Sequence, residues 1–262
     1  LFTNIIEVIQ DTIEGSDYSL RVHYLDEDAD EVKEAVRMCR EHKPMGILFL
    51  GGNIQYFHEE FELVNVPCVL VTDRADKLGF RNLASVSTDD MAAAEMAVDY
   101  LFDHGHRDIA VIGGDMALSS PSKYRKAGAK RSFIKHGCEF EEESYAVARF
   151  SYESAYNAMN RMLASQRSIT AVFAMSDVMA VGAMRAIFDA GLRVPEDISV
   201  IGFDGTLLAD YYNPKIVTVC QGYEKIARKS IDLLFGMIDL NKPATHELVP
   251  FSLKNTESVS SI

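Results

Sequence analysis

This sequence predicts an α/β fold of two doubly wound parallel-sheet lobes, and three observations carry the prediction. Short, uninterrupted apolar runs such as Met45-Gly-Ile-Leu-Phe-Leu50 alternate with longer stretches of helical periodicity. Strands that are apolar on both faces belong to parallel sheets covered by helices on both sides. The alternation runs through both halves of the chain with no linker, repeat or low-complexity stretch between them, and 262 residues suffice for one large or two ordinary domains.

The elements follow in order. The chain opens with Phe2, Ile5, Ile6, Ile9 and Ile13 at helix spacing. Residues 18–25 alternate like a strand, and 28–42 form a helix with Val32, Val36 and Cys39 inward. The apolar strand over 45–50 ends in Gly51-Gly52-Asn53; a helix over 56–64 leads to a strand over 67–72, and 85–87 make a short third. Residues 89–104 read as a helix, with Asp89 and Asp90 complementing the dipole at its start and Gly105 at its stop.

The second half repeats this pattern. Strands are expected over 108–112, 145–148, 171–174, 198–203 and 217–220. Helices are expected over 121–136, closed by Gly137, over 154–163, from a Ser176 cap to 190, and over 223–238. Residues 246–253 close the chain in alternation. A doubly wound lobe starts with a strand at its sheet centre, whereas this chain starts with the helix that should follow one and has no initiator Met. The expectation is that such a strand precedes Leu1.

Composition narrows the function. With 26 Lys+Arg against 39 Asp+Glu the net charge is −13, which opposes wrapping nucleic acid or an anionic membrane. The 48% hydrophobic content excludes disorder. No apolar run spans a bilayer and no signal peptide opens the chain. Cys39, Cys68, Cys138 and Cys220 form neither a CxxC pair nor a zinc spacing, and read as thiols in a reducing compartment. Phosphate-binding glycine loops, the GxSxG elbow and HExxH are all missing, so neither a cofactor nor an enzyme is expected. His104-Gly-His106 flanks a helix end and suits a capping role, and the Lys123–Lys135 basic run reads mostly as a solvated face. Only Arg125, near that helix's start, is placed to reach a crevice.

In open parallel sheets, ligands bind beyond the carboxyl ends of the strands. Asp73-Arg74, Gly113-Gly114-Asp115, Ser176-Asp177 and Asp204-Gly205 fall there. Carboxylates, a guanidinium and hydroxyls recognise polyhydroxylated ligands, Asp by accepting and Arg by donating in a fork. Asp177 reads as a cap for the following helix; Asp204 has no clear helix to cap.

The run Val194-Pro-Glu-Asp-Ile-Ser-Val-Ile-Gly-Phe-Asp204 resembles the signature segment of the lactose/galactose repressor (LacI/GalR) family of bacterial transcription regulators. Further matches fall in the family's order: Gly46-Ile-Leu, His104-Gly-His-Arg-Asp-Ile-Ala110, Arg125-Lys-Ala-Gly128, Ile169-Thr-Ala-Val-Phe-Ala174, Asp177-Val-Met-Ala-Val-Gly182 and Val217-Thr-Val-Cys-Gln221. The similarity covers essentially the whole chain. It implies a periplasmic-binding-protein-like effector domain of two lobes joined by three crossovers. The expected lobes are 1–104 with 222–240 and 105–221 with 241–262. It also implies a helix-turn-helix headpiece before Leu1 that contacts operator DNA, a homodimer, no membrane association, a cytoplasmic location, and a sugar-like effector whose binding between the lobes alters headpiece spacing.

Carried over residue by residue, the resemblance puts the pocket arginine on Arg125, the hydroxyl-binding aspartate on Asp204 and the pocket aromatic on Phe150. Ser176 falls on the polar position before the helix and Gln221 on the late glutamine, while Phe2, Arg74 and Asp89 match cleft-lining positions of the first lobe. Ser176 stands where many members carry Asn. Arg74 stands where members vary widely; both departures leave the effector open, and Arg74 could favour an anionic one such as a sugar phosphate. The alternative function is a solute-binding protein of a transporter, which shares the fold.

Overall fold

A computed structural model describes residues 1–26, 29–165 and 168–262. In chain order the elements are α1 (Phe2–Ile13), α2 (Glu31–Glu41), β1 (Ile47–Leu50), β2 (Cys68–Val71), β3 (Leu83–Ser87), α3 (Asp90–Asp103) and β4 (Ile109–Gly113). Then come α4 (Ser120–Lys135), β5 (Tyr145–Val147), α5 (Tyr152–Ala164), β6 (Ala171–Ala174), α6 (Asp177–Asp189) and β7 (Ser199–Asp204). The last are α7 (Leu207–Tyr211), β8 (Val217–Cys220), α8 (Tyr223–Leu240), β9 (His246–Leu248) and β10 (Ser252–Lys254). They fall into two compact units, Leu1–Thr88 with Gly222–Pro250, and Asp89–Gln221 with Phe251–Ile262.

The smaller unit is built on a parallel sheet of order β1-β2-β3-β9. Its central strand β2 shows why the apolar run is continuous. Val69 and Val71 meet Ile5 and Ile9 of α1 and Ile226 and Ile231 of α8 on one face. Cys68 and Leu70 meet Val32 and Val36 of α2 with Phe49, Phe57 and Phe61 on the other. Each such aliphatic side chain taken from water contributes roughly 1.5–3 kcal/mol. Asp30 caps α2 by accepting from the amides of Val32 and Lys33, both at 3.1 Å.

The larger unit has the sheet order β10-β8-β7-β6-β4-β5, parallel except for β10, which runs antiparallel to β8. Helices cover both faces over a core that includes Phe102, Val111, Phe173, Met184 and Ile201. The α3–α4 crossing depends on a glycine: a Cβ on Gly128 would lie 2.1 Å from the Met91 carbonyl oxygen. Gly182 serves α5–α6 in the same way, 2.3 Å from the Tyr152 carbonyl oxygen.

Several expectations change. Residues 18–25 form no strand: among the described residues β1 pairs only with β2, and Leu20, Val22, Tyr24 and Leu25 are exposed. Alternation alone gives the backbone no ladder to join. The expected helix start at Asp28 lies outside the described residues. Residues 56–64 form two 3-10 turns, Ile54–Tyr56 and Glu59–Leu63, pinned by the packed rings of Phe49, Phe57, Phe61 and Phe80. The stretch 246–253 breaks at Pro250, giving β9 to the smaller sheet and β10 to the larger.

Two lobe boundaries shift accordingly, from 104–105 to 88–89 and from 240–241 to 250–251. Helix α3 belongs with the larger unit because it packs on α4, where Ser132 and Lys135 both bond Asp99 at 2.6 Å. Lys126 is buried rather than solvated, with its Nζ 2.6 Å from Glu142 Oε2 and 4.4 Å from the Tyr145 ring centroid. His106 is a core residue: its ring bridges Thr170 Oγ1 (3.1 Å) and the Ser260 carbonyl (3.0 Å).

Candidate functional site

At the carboxyl ends of β6, β7 and β8 the larger unit assembles buried polar groups around one guanidinium. Arg125, on the second turn of α4, is 3% exposed. Its Nε donates to Asp90 Oδ1 at 2.7 Å, its Nη1 donates to the Met175 carbonyl at 2.6 Å, and its plane lies 3.7 Å from the Phe203 ring centroid. A buried arginine needs this much compensation, because leaving a charge unpaired in a low dielectric costs several kcal/mol. Asp90 is the partner that the sequence reading missed. It was legible only as a helix-start acid, and no periodicity tells which way such a side chain turns.

Asp204 ends β7 with φ +114°, a conformation that costs a non-glycine residue energy and tends to persist where a site requires it. The neighbouring strand holds it, since the Gln221 amide donates to the Asp204 carbonyl at 3.2 Å and Gln221 Nε2 donates to Asp204 Oδ1 at 2.7 Å. Asp204 Oδ2 takes no hydrogen bond from the described residues, and Gln221 Oε1 is buried with no partner among them. Burial pushes the Asp204 carboxyl up to about 7. The Arg125 charge opposes that rise and the nearby Asp177 carboxylate reinforces it.

Asp177 does not cap α6; Ser176 does, its Oγ accepting from the Met179 amide at 3.1 Å. The Asp177 carboxylate instead accepts from the Thr206 amide (2.7 Å), Thr206 Oγ1 (2.8 Å) and Thr218 Oγ1 (2.6 Å). It thereby ties down the turn after Asp204, and burial raises its pKa against those three donors. Phe150 is 38% exposed beside the β4 end, where a Cβ on Gly114 would lie 2.8 Å from its ring. Asp89 caps α3 by accepting from the Ala92 amide at 3.0 Å.

The structure therefore brings Arg125, Asp204 and Gln221 into one cluster, with Ser176 next to the Met175 carbonyl that Arg125 contacts. The cap bonds of Ser176 and Asp89 account for part of their polar capacity. Phe2 and Arg74 lie in the smaller unit. The Phe2 ring sits against Gly51, 2.6 Å from where a Cβ would be. Arg74 bonds Asp76 through Nε (3.0 Å) and Nη2 (3.1 Å), so its charge is locally balanced. At the carboxyl end of β3 the hydroxyls of Ser87 and Thr88 are buried without partners among the described residues. The signal for them was a polar pair ending a buried strand. The four cysteines are free thiols, and burial pushes Cys68 far up. Among the described residues no helix is long and apolar enough to cross a membrane, and no group of three His, Cys, Asp or Glu could hold a metal ion.

The family model described as a periplasmic binding protein-like domain matches residues 98–259. The transcriptional regulator MalR of Clostridium butyricum, a helix-turn-helix type, is 32% identical over 266 aligned residues, covering 100% of this chain and 78% of MalR. The chain belongs to the LacI/GalR family of transcriptional regulators. The probable repressor ExuR of Bacillus subtilis is 36% identical over 193 residues, 74% of this chain and 56% of ExuR. Among solved structures, a LacI-family regulator from Enterococcus faecium with bound ribose superimposes with a TM-score of 0.85 at 21% identity, covering 100% of this chain and 94% of that one. The α/β fold is thus that of the family's effector domains, and the chain's relatives are transcriptional regulators, not enzymes.

Proposed function

We propose that this chain is the effector-binding part of a cytoplasmic regulator and that a small polar molecule, a sugar or sugar derivative, binds at Arg125, Asp204 and Gln221. The single observation behind this reading is the orphaned hydrogen-bonding capacity at those buried strand ends. Gln221 Oε1 is buried with no hydrogen-bond partner among the described residues, and beside it Asp204 Oδ2 and Arg125 Nη2 take no protein partner among them. A buried acceptor such as Gln221 Oε1 is costly to leave unpaired unless a ligand completes it. Phe150 supplies an exposed ring on which a pyranose or furanose can stack. Ser176 and Asp89 are proposed as further contacts, with Phe2 and Arg74 of the smaller unit. A homodimer and operator DNA are proposed as partners, the DNA held by a headpiece outside this chain.

Regulation follows from linkage. The effector shifts operator affinity only by its differential affinity for two states of the protein. The relatives favour this reading over a transporter's solute-binding protein, because the match to MalR runs along the whole chain.

A thermal-shift screen tests it, with sugars, sugar phosphates, nucleobases and nucleosides as the panel. A ligand at 100 times its Kd stabilises by about 2.7 kcal/mol, or roughly 5–10 °C in Tm for a chain of this size. Asp204→Ala should weaken the hit by about 1.5–3 kcal/mol, the worth of a charged hydrogen bond. Normal binding by folded Asp204→Ala and Arg125→Ala would overturn the site.

A further inference from the structure

Asp177 and Asp204 are buried carboxyls close enough to repel each other, and hydrogen bonding decides which of them holds a proton. Asp177 accepts from the Thr206 amide (2.7 Å), Thr206 Oγ1 (2.8 Å) and Thr218 Oγ1 (2.6 Å). Donors in that number favour the ionised form of a carboxyl group. Asp204 takes one side-chain donor, Gln221 Nε2 at 2.7 Å. Arg125 faces Asp204 but gives its Nε to Asp90 and its Nη1 to the Met175 carbonyl.

The neighbouring glutamine has a place for the proton. Gln221 Oε1 is buried and unpartnered among the described residues, although the same amide bonds Asp204 through Nε2. An amide and a carboxyl group are planar ends of one shape, so a bond between the first pair of heteroatoms brings a second pair within reach. Here the second pair is two oxygens, Gln221 Oε1 and Asp204 Oδ2, which attract only when a hydrogen lies between them. Turning the amide over sets Oε1 against Oδ1 instead, so two oxygens still meet.

We infer that the ligand-free chain carries a proton on Asp204 Oδ2 and donates it to Gln221 Oε1, closing an acid–amide pair whose hold on Gln221 depends on pH. The acceptor left open for an effector is thus filled by a proton while no effector is bound. Gln221 is the last residue of its segment in the larger unit, and Gly222, at φ +68°, leads into α8 of the smaller one. The Gln221 main-chain amide also donates to the Asp204 carbonyl at 3.2 Å. The proton therefore adds a bond at a joint between the units, and its loss orphans a buried oxygen there. Within the larger unit, Arg125 from α4 opposes protonation and Asp177 from α6 favours it. Opposite Asp204 on β8 lies the Cys220 thiol, which burial holds in its neutral form. Burial places the Asp204 titration at about 7, so the pair opens across neutrality.

Carbon-13 NMR of the side-chain carboxyls in the purified chain, assigned sequentially, reads the proton directly. The Asp204 carboxyl should titrate at about 7. Asp204→Asn is a permanent mimic of the protonated form, because its amide accepts from Gln221 Nε2 and donates to Oε1 at every pH. Its urea midpoint should equal the parent's at pH 5 and exceed it at pH 8. The Gln221 main-chain amide should exchange with solvent more slowly in Asp204→Asn than in the parent at pH 8, and equally at pH 5. An Asp204 carboxyl that titrates in the ordinary range near 4 overturns the inference. So does an Asp204→Asn midpoint below the parent's at pH 8. Equal exchange of the Gln221 amide at pH 8 overturns the hold on the joint. None of these measurements uses an effector, so their failure is separate from that of the ligand screen.

Discussion

Arg125→Met removes the guanidinium and keeps the side-chain stem, so it isolates what the charge does for the fold. Three interactions disappear together: the 2.7 Å bond to Asp90, the 2.6 Å bond to the Met175 carbonyl, and the contact with Phe203 at 3.7 Å. A hydrogen bond to a charged group is worth about 1.5–3 kcal/mol and a desolvated cation–π contact about 2. Met recovers part of the packing, but Asp90 is left buried with no counter-charge, and removing one partner of a buried pair costs about 3–5 kcal/mol. At about 2–4 °C per kcal/mol the expected fall in Tm is about 6–20 °C. The double variant Asp90→Asn/Arg125→Met removes the orphaned charge as well. It should be more stable than Arg125→Met, with a coupling energy of about 2–3 kcal/mol. Urea melts of the four proteins of this cycle measure it. A loss below about 1 kcal/mol in Arg125→Met, or strict additivity in the double variant, would refute the claim that this pair is a structural unit.

Two more outcomes follow from the geometry. Gly128→Ala places a Cβ 2.1 Å from the Met91 carbonyl oxygen and 2.9 Å from the Glu95 amide nitrogen, both main-chain atoms. Because backbone yields less easily than a side chain, this overpacking should cost about 1–3 kcal/mol or more in a denaturant melt, and a neutral result would mean that α3 and α4 do not cross where described. The contribution of Asp204 to the stability of the free protein should fall as pH rises from about 4 to about 7. Asp204 binds its proton more tightly folded than unfolded, so its contribution is complete below the unfolded carboxylate range and is lost through about 7. Burial of Asp90 and Asp177 acts in the same sense. Melts at pH 5 and pH 8 should show the slope flattened in Asp204→Asn; a variant that keeps the full slope would assign the titration elsewhere.

Much of the architecture was legible in the residues. Continuous apolar strands such as 171–174 and 217–220 could be read because a strand covered on both faces leaves no polar position to blur the pattern. The Ser176 cap was legible because the hydroxyl acts within one turn of its own helix. Arg125 and Asp204 were legible as crevice candidates from their places at a helix start and a strand end, and the resemblance gave them their ligand roles. Residues 18–25 and 246–253 misled for a common reason: alternation records a strand-like segment but not its partner, and pairing decides whether a strand forms and in which sheet.

What the sequence determined by itself is local or compositional: the α/β class, the helix starts and stops, the absence of catalytic motifs, and the family through its signature segments. The tertiary structure alone decided the rest. It transferred α3 to the larger unit, turned Asp90 onto Arg125, and sent Asp177 to Thr206 and Thr218 rather than to its own helix. It also matched Arg74 with Asp76. Each of these depends on residues that are distant along the chain or on the direction of one side chain. The one-dimensional pattern carries neither kind of information, because hydrogen-bonding capacity is a property of a residue type and its satisfaction a property of the neighbours that folding supplies.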